Sequence, residues 1–70
     1  MTNELNNLRA AIASLVSAKA NEFANETRLV IDAMNAVKAA AAGRTSREDR
    51  SRFDGLMNRA LSVVNQRRAA

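Results

Sequence analysis

From Leu5 to Ala41 the apolar side chains recur once per helical turn: Leu5, Leu8, Ile12, Val16, then Phe23, Val30, Met34, Val37 and Ala41. With Lys19 and Thr27 filling two gaps, ten steps span 36 residues, a spacing of 3.6 that belongs to an α-helix and not to a strand. The chain has no proline, and its two glycines, Gly43 and Gly55, lie beyond this run. Nothing before Ala42 therefore carries a helix-breaking signal. The pattern predicts one long helix over residues 3–42, about 60 Å long at 1.5 Å per residue. Thr2 or Asn3 suits its N-cap, Glu4 its first turn and Gly43 its C-cap. The weak point is KANEFANETR, Lys19 to Arg28, where Phe23 is the only large apolar residue. A bend near Asn25, folding the N-terminal third back into a three-helix monomer, is the alternative to an unbroken helix.

After Gly43, Thr45 with Glu48 and Ser46 with Asp49 both have capping-box spacing. A second helix over about residues 47–67 follows, with Phe53, Leu56, Met57, Ala60, Leu61, Val63 and Val64 on its apolar face. Arg67 and Arg68 place positive charge where it complements the C-terminal end of the helix dipole. The fold class is all-α, an antiparallel helical hairpin treated as a single domain over residues 1–70. Its expected core is Val30, Met34, Val37, Phe53, Met57, Leu61 and Val64. The second helix is about half as long as the first, so Leu5, Leu8, Ile12, Leu15, Val16 and Phe23 are left as an oligomer or partner face. A homodimer, forming a four-helix bundle or a coiled-coil-like assembly, is the simplest cover for that stripe.

Composition supports self-association. Of 33 hydrophobic residues 15 are alanine, and only 17 large aliphatic, methionine or phenylalanine side chains remain once Met1 is set aside. Folds this small usually rely on a disulfide, a metal or a second copy. With no Cys and no His, the second copy is the option left.

The same absences strip the catalytic inventory. There is no imidazole proton shuttle, no thiolate nucleophile and no common zinc ligand set. Glu22 and Glu26 stand four residues apart on one helix face and could offer oxygens to a cation or do acid–base work. A solvated face is the simpler reading of that pair. No glycine-rich phosphate loop can be built from Gly43 and Gly55. The expectation is a non-enzyme without cofactor, metal or small-molecule substrate. No run approaches a membrane span, and MTNELNNLR lacks the basic start and apolar block of a signal peptide. A cytoplasmic protein is expected.

Charge is segregated. Residues 1–42 carry four basic and four acidic side chains, whereas residues 43–70 carry seven arginines against Glu48, Asp49 and Asp54, and so the whole net charge of +4. Such segregation is what a nucleic-acid binder would show. Against it, Glu48 with Arg52 and Arg50 with Asp54 are spaced to pair along the helix. No aromatic residue stands on a polar face to stack bases. Gly55, mid-helix and opposite the core, leaves a shallow notch between Arg52 and Arg59 where another protein could pack closely. Arg44, Arg47, Arg52, Gly55 and Arg59 are thus the candidate contacts to a partner protein or to nucleic acid.

The run GRTSREDRSRFDGLMNRA, Gly43 to Ala60, resembles the hairpin of the N-terminal scaffolding region in tailed-phage capsid proteins of the HK97 class. The matching residues are Gly43, Arg44, Thr45, Glu48, Asp49, Phe53, Asp54 and Leu56. The match covers about a quarter of the chain; Arg44 fits the Gly-Arg turn but stands where a larger apolar residue often precedes the Thr, and the first helix is Ala- and Asn-rich where the family's is highly charged. The resemblance implies a phage-type accessory or assembly protein acting by helix–helix contact. Taken together, the expected function is a non-enzymatic helical protein–protein interaction module that self-associates and binds or regulates a partner protein. The alternative is a small basic nucleic-acid-binding dimer.

Overall fold

The computed structural model describes residues 2–43 and 45–69. Three helices follow one another, α1 (Thr2–Ser17), α2 (Phe23–Ala41) and α3 (Arg47–Ala69), and no strand occurs among the described residues. The all-helical expectation holds. The single helix over residues 3–42 does not: it is divided between Ser17 and Phe23, and α1 folds back against both α2 and α3.

The corner lies earlier than the bend considered at Asn25, which is inside α2. It contains neither Gly nor Pro. At the end of α1 the Ala18 amide donates to the Leu15 carbonyl (3.2 Å), an i to i−3 bond that tightens the last turn. The Glu22 amide then donates to the Lys19 carbonyl (2.9 Å), closing a turn, and the Glu26 amide donates to the Glu22 carbonyl (3.0 Å) as α2 begins. The Ser17 hydroxyl donates back to the Ala13 carbonyl (3.4 Å), a local bond that slightly destabilises and bends a helix end.

Packing decides in favour of the break. Leu5, Leu8, Ile12 and Leu15, held on one face by their helical spacing, are between 0 and 5% exposed. Burying such side chains is worth about 1.5–3 kcal/mol each, against a handful of backbone bonds at about 1 kcal/mol net each. The stripe expected to need a second copy is therefore covered within the chain: α1 is the central helix, and its apolar face is not free to form an oligomer or partner interface. Val16 departs from the stripe and is 45% exposed. Phe23 is half-buried at the start of α2.

Val30, Val37 and Ala60 complete the buried core, with Met34, Phe53, Leu56, Val63 and Val64 packed partly against it. Of the expected hairpin core, Leu61 is a correction: it is 56% exposed. Because α1 occupies the space between the other two helices, α2 and α3 approach each other least closely of the three pairs. Residues 2–9 of α1 lie beside residues 52–59 of α3, and the far end of α1 lies beside Arg67, so α1 and α3 run parallel.

Thr2 and Asn3, the expected N-caps of the first helix, lie inside α1, whereas capping at the α2–α3 turn follows the sequence with two refinements. Helix α2 ends with Ala42 left-handed (φ 38°), its amide donating to the Lys38 carbonyl (3.2 Å), one residue before the expected cap; Gly43 is also left-handed (φ 81°). Of the two candidate boxes, Ser46 provides the cap, its hydroxyl accepting from the Asp49 amide at 3.1 Å. The two glycines then make opposite predictions. Gly43→Ala forces a Cβ into a left-handed residue and destabilises by about 1–2 kcal/mol. Gly55→Ala, inside α3 with nothing within 4 Å of an added Cβ, stabilises by about 1 kcal/mol. Thermal unfolding followed by circular dichroism measures both.

Candidate functional site

Two surfaces stand out, one basic and one apolar. On the basic side Thr2, Leu5, Asn6 and Arg9 of α1 and Arg52, Gly55, Leu56 and Arg59 of α3 line one open groove of about 570 Å³. The residue spacing is the same on both walls, i, i+3, i+4, i+7, which is how two parallel helices present one face each over two turns. Arg52, Gly55 and Arg59, expected on the face opposite the core, instead line this groove against α1. The structure adds Arg9, which the sequence alone does not single out because an unbroken first helix would hold it far from the arginines of α3.

The electrostatics of this groove are uneven. The Arg52 Nη2 donates to Glu48 Oε1 at 2.9 Å, and both side chains remain well exposed. Such a pair contributes a few tenths of a kcal/mol. Arg50 and Asp54, spaced to pair, make no ion pair with each other. Arg9 and Arg59 are exposed, at the same level on neighbouring helices, and neither has an ion-pair partner among the described residues. Arg47 is exposed at the start of α3 and does not line the groove; Arg44 lies outside the described residues.

Arg67 has another role. Beyond its place in the last turn of α3, its Nη2 donates to the Val16 carbonyl (3.3 Å) and to the Ala18 carbonyl. Its guanidinium carbon sits 5.2 Å from the centre of the Phe23 ring. One side chain thus caps the C-terminus of α1 and stacks on the first residue of α2, fixing the corner to α3. The only sequence signal for this is a lone Phe23 in a polar stretch, which has no partner in a straight helix.

The apolar surface is the gap left where α2 and α3 diverge. Leu15 forms part of its lining, with Val30, Ile31 and Met34 on the α2 side and Met57, Leu61 and Val64 on the α3 side, and almost no polar surface is presented. Ile31 and Leu61 are each about half exposed; Leu29, also about half exposed, does not line the gap. Met57 and Leu61, expected in the hairpin core, are brought here instead.

Other chemistry is thin. No three carboxylates gather to hold a cation among the described residues, and Glu22 and Glu26 sit at the start of α2. Among the described residues no helix is long and apolar enough to cross a membrane. Comparison with protein-family models, with curated proteins and with solved structures returns no match.

Proposed function

We propose that this protein is a non-enzymatic helical interaction module, which self-associates and binds a partner protein through preformed helix faces. The observation that carries this reading is the apolar groove between α2 and α3, with Ile31 and Leu61 about half exposed along it. Contiguous apolar surface of this kind on a small chain marks an association site. A second copy meets it with the same patch, so that two α2–α3 pairs close into one bundle as in an isologous dimer. The dimer interface thus moves from the N-terminal stripe, now core, to the groove between α2 and α3.

Sedimentation velocity from low to high micromolar concentration tests this. The wild type is expected to shift from monomer toward dimer, and Leu61→Glu, which changes a half-exposed residue and leaves the core intact, is expected to stay monomeric with unchanged helicity. A wild type that remains monomeric throughout overturns the self-association. The similarity of residues 43–60 to phage scaffolding hairpins supports, on this reading, an accessory or assembly role for the module.

Nucleic-acid binding is the second reading, favoured by the concentration of net positive charge in residues 43–70. It predicts binding that falls steeply with salt and depends on Arg44, Arg47 and Arg59.

A further inference from the structure

We propose that the groove between α1 and α3 is a docking site for an acidic helical segment of a partner protein, gripped by Arg9 and Arg59 with Arg52 at the far end. This rests on the reading of the chain as a protein-binding module and names the chemistry of the partner it takes.

Charge gives the first reason. Three arginines and no carboxylate line the groove, and Arg9 and Arg59 stand level with each other without an ion-pair partner among the described residues. Like charges on facing helices repel, and a carboxylate set between them relieves that repulsion and takes charge-assisted, two-pronged hydrogen bonds from both. Shape gives the second. The lining runs from Thr2 to Arg9 and from Arg52 to Arg59, two helical turns on each wall, or about 10 Å of helix. The missing side chain at Gly55 deepens the middle, where an added Cβ would meet nothing within 4 Å. A segment with carboxylates two turns apart matches Arg52 at one end and the Arg9, Arg59 pair at the other.

The groove's chemistry selects protein over nucleic acid. Leu5 and Leu56 line it between the arginines, giving an apolar centre with a cationic rim, the arrangement of a protein–protein contact anchored by arginine. A phosphate backbone has nothing to place against the leucines. No aromatic side chain lines the groove to stack a base.

The test uses the full chain and a labelled synthetic helical peptide carrying Glu at positions i and i+7 and Leu at i+3 and i+4, with binding read by fluorescence anisotropy. The expected result is saturable binding that weakens with added salt and by about tenfold or more in Arg9→Glu/Arg59→Glu. The matched peptide with Gln for Glu is expected to lose a similar factor. Gly55→Leu, which fills the notch at a solvent-facing position and leaves every charge in place, is expected to block binding while circular dichroism stays that of the wild type. Leu61→Glu is expected to bind the peptide normally, so loss of self-association and loss of this site are read separately. Equal affinity for the Glu and Gln peptides, unchanged affinity in both groove variants, or no saturable binding overturns the proposal. So does displacement of the peptide by a short DNA duplex whose own binding requires Arg9 and Arg59, because it assigns the groove to nucleic acid.

Discussion

Leu8→Ala is expected to bring this chain close to unfolding. Leu8 is fully buried at the middle of α1, the helix that both others pack against. Leucine-to-alanine changes at such sites cost about 3–5 kcal/mol, the lost transfer energy adding to that of the cavity. A domain of this size rarely has more than about 3–5 kcal/mol of stability from one core. Urea denaturation followed by circular dichroism measures the loss, and its dependence on protein concentration carries further information. Because α1 is covered within its own chain, the loss is expected to be the same in dilute and concentrated samples. A stripe covered by a second copy would instead give a penalty that shrinks as the protein is diluted and the wild type itself loses its partner.

Arg67→Met is expected to cost about 2–3 kcal/mol, for a residue that by sequence position alone would be an ordinary cation near a helix end. It loses hydrogen bonds from a charged donor to two carbonyls at the end of α1, worth about 1.5–3 kcal/mol. It also loses the contact with the Phe23 ring, worth about 0.5–1 kcal/mol at a partly exposed site. Partial solvation of the guanidinium holds the sum toward the lower end. Arg67→Lys is expected to recover little of it, since an ammonium cannot reach two carbonyls and lie flat on a ring at once. Arg68→Met is the matched control, exposed one position further on, and is expected to fall within about 0.5 kcal/mol of the wild type. Equal effects at the two positions would mean that Arg67 acts only through the dipole of its own helix.

The helical class, the start of α3, the Ser46 cap and the Gly55 notch are all legible in the sequence, because each rests on local chemistry acting within a turn or two. The corner at Ala18–Glu22 is legible only in part: Lys19 to Arg28 reads as the weak point and a three-helix fold-back as the alternative, but the turn falls before Phe23 and not at Asn25. It uses residues that are comfortable in a helix, and the apolar stripes of α1 and α2 share a phase across it, so the 3.6 spacing runs through as though unbroken. Lys19 and Thr27 are the visible cost of a straight helix: both must stand in for apolar residues, and Lys19 lies in the turn itself.

What overrides local preference is tertiary. Four large aliphatic residues on α1 gain more from the cover of α2 and α3 than the helix loses by breaking, and no window of the sequence shorter than the whole chain contains that comparison. The candidate site inherits the same limit. Arg52, Gly55 and Arg59 sit on one helix and can be grouped by spacing, whereas Arg9 joins them only once the chain turns at residue 18. The apolar groove escapes a sequence reading for the converse reason: Leu61 and Met57 match a core pattern, and only the insertion of α1 between the other helices leaves them outside.

The fold-back of α1 is the claim on which both surfaces depend, and one distance tests it most directly. The chain has no cysteine, so Asn3→Cys and Lys38→Cys, both at exposed positions, accept spin labels cleanly. Diluting labelled with unlabelled protein keeps the measurement within one molecule. With α1 antiparallel to α2 at an interaxial distance of about 8–10 Å, pulsed dipolar spectroscopy is expected to give a separation on the order of 10–20 Å. A distribution centred at about 52 Å, the length of 35 residues of unbroken helix at about 1.5 Å each, would exceed the 38 Å longest dimension of the folded chain. That result would contradict the fold-back and restore the single long helix.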